Sequence, residues 1–191
     1  MDLRRLRLAL SQIGVRASRH LPEPRGLLIG LEDLPPKWTV LDERRWRSGA
    51  VAEPWAVRVR RLGGLTAWRS FKAPSNDRWL WVQATPLATD EDADAARAGF
   101  LNRTLKNPSA QVRIMASHDG PPLAVAASHT TTLEQLTTGP AGPGSARYVV
   151  WSHGPIVSAL SASAFGEPWP WTSLVDLARK QNQRIDAVLT R

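Results

Sequence analysis

The alternation of apolar and polar side chains over residues 65–87 predicts two adjacent β-strands. They run from Leu65 to Lys72 and from Arg78 to Leu87, with a turn over residues 73–77 between them. Large apolar side chains occur at both odd and even positions, so both faces of the strands carry them. A strand that is apolar on both faces has to be covered on both sides. We therefore predict that this pair lies near the middle of a sheet, with Trp81 in its interior.

The same reading of the pattern gives a series of elements on either side of this pair. Predicted strands cover residues 38–47, 111–118, 123–136, 146–152 and 156–164. Predicted helices cover residues 54–62, 89–107 and 171–188, and residues 26–34 form either a strand or a single helical turn. His153-Gly154 makes a tight turn between the last two strands. The resulting fold class is α+β, a mostly antiparallel sheet flanked by helices in an α/β/α sandwich.

Two details of the predicted helices can be tested directly. Thr89 is placed to cap the second helix, whose buried stripe should consist of Ala93, Ala96, Phe100, Leu101 and Leu105. Aspartates at its start resemble part of a calcium loop, but the glycine and the bidentate glutamate of such a loop are missing, so they indicate a helix N-terminus instead. Gln181 lies on the inner stripe of the last helix. A buried glutamine needs hydrogen-bond partners, so it should attach this helix to a backbone edge.

The first 25 residues differ in pattern from the rest. Leucines and an isoleucine at steps of three and four, including Leu6 and Leu10, alternate with arginines, of which Arg4, Arg5 and Arg7 come first. This pattern predicts a short basic amphipathic helix, followed by a proline-containing linker. The helix could dock on a partner, lie on a membrane surface or pack on its own domain. We divide the chain into residues 1–25, helix and linker, and residues 26–191, a single domain.

Charge is unevenly distributed along the 191 residues. The formal net charge is +8, and residues 1–72 hold fifteen Lys and Arg against seven Asp and Glu, whereas the remaining residues balance. A basic end of this kind indicates an acidic protein, RNA or an anionic lipid surface as partner. Since 21 of the 25 basic residues are arginine, a biased composition is the alternative explanation.

No pattern of catalytic or cofactor-binding residues is found. The chain has no cysteine, which excludes disulfides and thiolate metal sites. His118 and His129 could face each other across a hairpin, but no further ligand accompanies them. No nucleophile elbow surrounds a serine, and the Gly- and Pro-rich residues 138–145 lack the lysine of a phosphate-binding loop. We predict a protein that is not an enzyme, with no catalytic residues, no cofactor and no metal.

The start of the chain does not read as a secretory signal, because charged and polar residues interrupt its apolar run. No run of about 18 apolar residues occurs, so no transmembrane segment is predicted. If Met1 is the true start, we expect a cytoplasmic protein. An atypical twin-arginine signal is the alternative.

A family resemblance rests on two short stretches, Leu34-Pro35-Pro36-Lys37-Trp38 and Leu177-Ala178-Arg179-Lys180-Gln181 followed by Arg184-Ile185. Together with the order of elements over residues 26–189, they resemble the PsbP-like fold, which includes actinobacterial small proteins and lipoproteins. The lipoprotein cysteine of the exported relatives is missing here. The resemblance implies an α/β/α sandwich that binds proteins as an assembly subunit, adaptor or chaperone, without catalytic residues.

These observations favour a non-catalytic protein-binding module, a cytosolic adaptor, chaperone or subunit of a larger assembly. The partner-binding residues predicted are Arg4, Arg5, Arg7, Leu6 and Leu10 of the first helix, with Trp46 and Trp169 as aromatic anchors. A binder of RNA or of an anionic membrane surface is the first alternative, and a small enzyme without a recognisable motif is the second. The pattern leaves the identity of the partner and the oligomeric state open.

Overall fold

A computed structural model describes residues 21–47, 65–106, 111–119, 129–139 and 142–190. Two short 3-10 helices, Pro24–Leu27 and Leu31–Asp33, precede the sheet. The strands are β1 (Thr39–Arg47), β2 (Leu65–Lys72), β3 (Arg78–Pro86), β4 (Gln111–Asp119), β5 (His129–Gly139), β6 (Gly142–His153) and β7 (Ile156–Phe165). The helices are α1 (Asp90–Leu105) and α2 (Trp171–Leu189).

The described strands form one antiparallel sheet in the order β1-β2-β3-β7-β6-β5-β4. The chain therefore folds as a meander of three strands and a meander of four, and they join where β3 pairs with β7 from Arg78↔Ala164 to Pro86↔Ile156. The prediction that β2 and β3 form a hairpin is confirmed, and β3 lies inside the sheet, between β2 and β7.

Helices cover the two faces of this sheet. Phe100 of α1 stacks on Trp81 of β3, with ring centroids 6.2 Å apart. Trp151 of β6 lies on the opposite face of the sheet from Trp81 and donates its indole N–H to Asn182 of α2 at 3.0 Å. The fold is therefore α+β with helix, sheet and helix layers, as the sequence predicts.

The main core lies between the sheet and α2. Its largest fully buried side chains come from residues 27–29, from four strands and from α2: Leu27, Ile29, Phe71, Leu80, Trp151, Ile156, Leu160, Leu174 and Ile185. Burial of this much apolar surface is the main stabilising contribution to the fold. Leu174, Ala178 and Ile185 of α2 point into this core.

The layer between the sheet and α1 is thinner, and it corrects two predictions. Its buried apolar residues are Leu87, Ala93, Ala96 and Val157. Of the predicted stripe of α1, Phe100 and Leu101 are only half-buried and Leu105 is 38% exposed. Trp81 is likewise half-buried rather than interior. The reason is that α1 contacts mainly β6 and β7 with its alanines, so its far end does not cover the sheet fully.

Three local predictions are confirmed by hydrogen bonds and backbone angles. The Thr89 hydroxyl accepts the amide of Asp92 at 3.1 Å, which caps α1. Buried Gln181 donates to the carbonyl of Gln83 at 3.0 Å and so attaches α2 to β3. The turn between β6 and β7 has Gly154 at φ +52°, where other residues are strained, and an added Cβ would meet Leu189 at 3.1 Å.

Several predictions lie outside the described residues. They include the amino-terminal helix over residues 1–20, the helix over residues 54–62 and the first residues of the strand predicted from 123. Within the predicted linker, Pro24 is buried and Glu23 pairs with Arg45 at 3.1 Å, so packing against the sheet already begins before residue 26. No helix among the described residues is long and apolar enough to span a membrane.

Candidate functional site

A concave groove of about 710 Å³ lies at one end of the sheet, on the side covered by α2. Its lining residues fall within the segments 33–38, 73–78, 169–170 and 173–180. They belong to the approach to β1, the turn between β2 and β3, and the entry and first turns of α2. We call it the Trp–Pro groove, because its apolar lining includes two tryptophans and four prolines: Trp38, Trp169, Pro35, Pro36, Pro74 and Pro170.

The two tryptophans pack edge to face, with centroids 5.4 Å apart and planes at 69°. Trp38 is half-buried, whereas Trp169 is only 6% exposed, and both belong to or contact the main core. The indole N–H of Trp169 has no acceptor among the described residues. This nitrogen is also inaccessible to solvent, so the donor is buried beneath the groove surface and is not presented to the groove.

Arg147 of β6 fixes the side of the groove that contains Trp169. Its guanidinium donates to the carbonyl of Trp169, lies 4.9 Å from the ring centroid of Trp171 and pairs with Glu134 at 2.8 Å. Glu134 is 4% exposed, so this ion pair is shielded from water. Arg147 thereby ties the entry of α2 to the centre of the sheet.

The opposite wall is the turn between β2 and β3. The amide of Ala73 donates to the carbonyl of Arg78 at 3.0 Å, and Asn76 adopts φ +59°, a conformation that asparagine tolerates better than most residues. The carbonyl of Asp77 accepts the amide of Phe165, which ties the turn to the end of β7. The wall is therefore fixed at several points.

Ion pairs attach the segment before β1 to α2. Arg184 pairs with Asp33 at 2.7 Å and with Glu32 at 2.8 Å, and Lys180 lies 3.9 Å from the same Asp33 carboxylate. The pKa of Glu32 is lowered, first by a backbone hydrogen bond and further by Arg184. These contacts neutralise the Asp33 carboxylate within the groove.

The remaining charged residues of the groove are Asp77, Arg78 and Asp176. Asp176 pairs with Arg179 at 2.7 Å, and Asp77 accepts a short hydrogen bond from the Ser75 hydroxyl. The half-buried guanidinium of Arg78 has no ion-pair or hydrogen-bond partner among the described residues. The groove thus combines a rigid apolar surface with one available guanidinium.

A second polar cluster lies on the opposite face, beneath α1. The Asp94 carboxylate accepts from Ser152 at 2.7 Å and is 3.1 Å from Nδ1 of His129. A serine nucleophile needs a histidine to take its proton, with the carboxylate behind the histidine. Here the carboxylate stands between the two, and Ser152 is 1% exposed, so the arrangement does not match a catalytic triad.

Two other titratable groups are perturbed by structural contacts. The pKa of Glu43 is lowered chiefly by the hydrogen bond from Arg69, and burial raises the pKa of Tyr148. Among the described residues, no group of three or more His, Cys, Asp or Glu could hold a metal ion. Neither observation marks a reactive centre.

The predicted partner-binding residues are not brought together by the described structure. Arg4, Arg5, Leu6, Arg7 and Leu10 lie outside the described residues. The backbone of Trp46 is in β1, opposite Thr66, and its side chain is not described. Trp169 lines the groove and is largely buried, and its role as a partner-binding anchor stays a prediction.

Sequence reasoning missed the groove as a site. The stretches Pro35-Pro36-Lys37-Trp38 and Pro168-Trp169-Pro170 each combine proline with tryptophan, and the structure places them side by side. The shared composition of these two distant stretches was the available signal. Arg78 gave no signal, because only the structure shows that this residue lines the groove.

No protein-family model matches the chain, and a comparison with curated proteins finds no significant match. Among solved structures, the chain is similar to the extracellular domain of PknH from Mycobacterium tuberculosis, with a TM-score of 0.56 and 11% sequence identity. The match covers 90% of this chain and 99% of that chain. At this identity the similarity shows a shared fold, which agrees with the α+β assignment. The PsbP-like resemblance stays a prediction.

Proposed function

We propose that this protein is a non-catalytic protein-binding module, acting as an adaptor, chaperone or subunit of a larger assembly, and that the Trp–Pro groove is its binding surface. The observation that carries the proposal is the groove of about 710 Å³, with its paired tryptophans and four prolines. Its volume is in the range typical of ligand-binding pockets. Similarity in fold to the extracellular domain of PknH is compatible with a binding role but does not define one.

The physical support for this proposal is preorganisation. Proline fixes its own backbone angle, and the walls of the groove are held by Arg147, Arg184 and the hydrogen bonds of the turn at residues 73–77. A surface that is already rigid loses little conformational entropy on binding. Tryptophan and arginine are also the residues that most often dominate binding energy at protein interfaces.

One alternative is supported by a separate observation, the excess of positive charge in residues 1–72. It favours RNA or an anionic membrane surface as the partner of the amino-terminal third. Most of that charge is carried by residues outside the described structure or by arginines of β1 and its surroundings. The cytoplasmic location likewise stays a prediction.

The proposed function can be tested by selecting peptides from a random displayed library on the immobilised protein. Ser173 is exposed and lines the groove, so Ser173→Trp should fill the groove without disturbing the core. A matched control is Asn102→Trp, at an exposed position of α1 on the other face of the sheet. Unchanged thermal unfolding of both variants verifies their folds.

We expect that wild type and Asn102→Trp bind the same selected peptides, and that Ser173→Trp binds them at least tenfold more weakly. Selected peptides that bind all three proteins equally would locate the binding surface elsewhere. Failure to enrich any peptide on the wild-type protein would contradict the proposed function itself.

A further inference from the structure

We propose that His153 makes a proton-dependent contact that fixes the end of α2 to the turn between β6 and β7. A proton taken up on Nε2 of His153 creates an ion pair with Asp186 of α2, while Nδ1 keeps its own proton in both charge states. The contact involves the last turns of α2, beyond the Trp–Pro groove, and does not depend on the proposed function.

The hydrogen bonds around Asn182 determine which ring nitrogen of His153 carries a proton. The indole N–H of Trp151 lies 3.0 Å from Oδ1 of Asn182, and an indole can only donate. The amide oxygen therefore faces the indole, since the amide nitrogen would place donor against donor. Nδ1 of His153 lies 3.0 Å from the same oxygen, so Nδ1 has to donate as well. In the neutral ring, Nε2 is then the nitrogen without a proton.

Nε2 of His153 faces a carboxylate. It lies 3.7 Å from Oδ1 of Asp186, in the last turn of α2. A neutral histidine presents a lone pair to that carboxylate, whereas a protonated one presents an N–H and a positive charge. The carboxyl end of a helix also favours a positive charge. The attachment of α2 to β6 should therefore strengthen when His153 is protonated.

The turn that carries His153 is enclosed by both helices. His153 is 6% exposed, so water has little access to its ring. A Cβ added at Gly154, the next residue, would meet Leu189 of α2 at 3.1 Å and a carboxylate oxygen of Asp90 in α1 at 4.0 Å. Asp90 adds a second negative charge near the turn, so both helices favour the protonated form of His153.

The neighbouring strands, as far as the structure describes them, place no opposing charge against the ring. Ile156 of β7 stands opposite His153 in the sheet. On β5, His129 pairs with Asp94 of α1 and so faces the other side of the sheet. The charge of His153 therefore depends mainly on Asp186, whose side chain is 53% exposed and can be changed without disturbing the core.

The test compares the midpoint of thermal unfolding, Tm, of wild type and Asp186→Asn at about pH 5.5 and about pH 8, a range over which histidines ordinarily change charge and carboxylates stay ionised. The matched control is Asp176→Asn, the same substitution at another exposed position of α2, where the partner is Arg179. Groups that titrate elsewhere are common to all variants, so their effect cancels in the difference from wild type.

We expect Asp186→Asn to lower the Tm by roughly 2–4 °C at the lower pH, as for the loss of one partly exposed ion pair in a chain of this length, and by much less at the higher pH. Asp176→Asn should change the Tm equally at both pH values. In a His153→Gln background, which cannot take up the proton, the effect of Asp186→Asn should also be equal at both.

The tautomer of His153 is measured on the wild-type protein, from the nitrogen chemical shifts of its ring by NMR, and does not require that His153→Gln folds. At the higher pH the proton should be on Nδ1. A neutral ring with its proton on Nε2 would overturn the inference, as would an effect of Asp186→Asn that is the same at both pH values. An equally pH-dependent effect of Asp176→Asn would also overturn it, because the dependence would then belong to α2 as a whole.

Discussion

Arg147 shows how one side chain can position a binding surface. It pairs with a buried glutamate in β5, and its guanidinium also reaches the carbonyl of Trp169 and the ring of Trp171. A buried ion pair is a weak source of net stability, but its geometry is well defined. The position of Trp169 in the Trp–Pro groove therefore depends on the Glu134–Arg147 ion pair, which lies beneath it.

Removing one partner of this pair should be costly. Glu134→Ala leaves the guanidinium of Arg147 largely buried without its counter-charge, so we expect a loss of about 3–5 kcal/mol in the free energy of unfolding. Glu23→Ala, which removes an exposed partner of Arg45, should cost no more than about 1 kcal/mol. Urea unfolding of both variants measures the difference. Equal effects would show that burial does not determine the energy of the Glu134–Arg147 pair.

At the scale of elements, the two faces of the sheet are stabilised to different degrees. Phe71 of β2 faces α2 and is completely buried, whereas Trp81 of β3 faces α1 and is half-buried against Phe100. The face of the sheet that α1 covers carries many serines and threonines. The attachment of α1 to the sheet should therefore be weaker than that of α2.

Two aromatic substitutions test this asymmetry. Phe71→Ala should cost about 3–5 kcal/mol, as expected for a buried aromatic side chain. Trp81→Ala should cost less, about 1–3 kcal/mol, because it loses one aromatic stack and part of its buried area. We expect the Trp81 variant to remain folded, as judged by circular dichroism and a cooperative thermal transition. A larger loss for Trp81→Ala than for Phe71→Ala would mean that the α1 layer is the more important one.

Most elements could be predicted from local pattern, because caps, turns and strand alternation act over a few residues. Thr89 and Gly154 are examples in which one residue type fits one backbone position. The buried stripe of α1 could not be predicted in the same way. Whether Leu105 is buried depends on how far the helix extends beyond β6 and β7, which is a property of the assembled layers.

The candidate site was even less accessible to sequence reasoning. The groove joins residues near 35, 75 and 170, and their proximity follows from the pairing of β3 with β7. Local patterns do not specify which strands of two separate meanders become neighbours. Trp169 was identified as a binding residue from its type alone, and the structure shows that its ring is buried against Trp38.

At the scale of the whole molecule, the distribution of charge gives a prediction independent of the groove. Reversing Arg4, Arg5 and Arg7 to Glu should weaken capture of an acidic partner at low salt, if the basic third steers association. The screening length falls from about 10 Å at 0.1 M salt to about 3 Å at 1 M, so the difference between variant and wild type should vanish at high salt.

The assay measures association rates with an acidic peptide at several salt concentrations. A variant that combines Arg103→Glu, Lys106→Glu and Arg179→Glu, three exposed positions outside the basic third, changes the net charge by the same amount and is the control. Association that is equally fast in wild type and the triple variant at every salt concentration would make the amino-terminal arginines a compositional feature only. The Trp–Pro groove would then be the first surface to test.

The pairing of β3 with β7 has a consequence for the synthesis of the protein. β7 ends at Phe165, about 80 residues after the end of β3, and ribosomes add roughly 5–20 residues per second. β3 therefore waits about 4–16 s for its second neighbour, and one of its edges stays unpaired during that time. An unpaired edge exposes the nascent chain to aggregation during that interval. Slow translation between α1 and β7 should lower the soluble yield more than slow translation after β7.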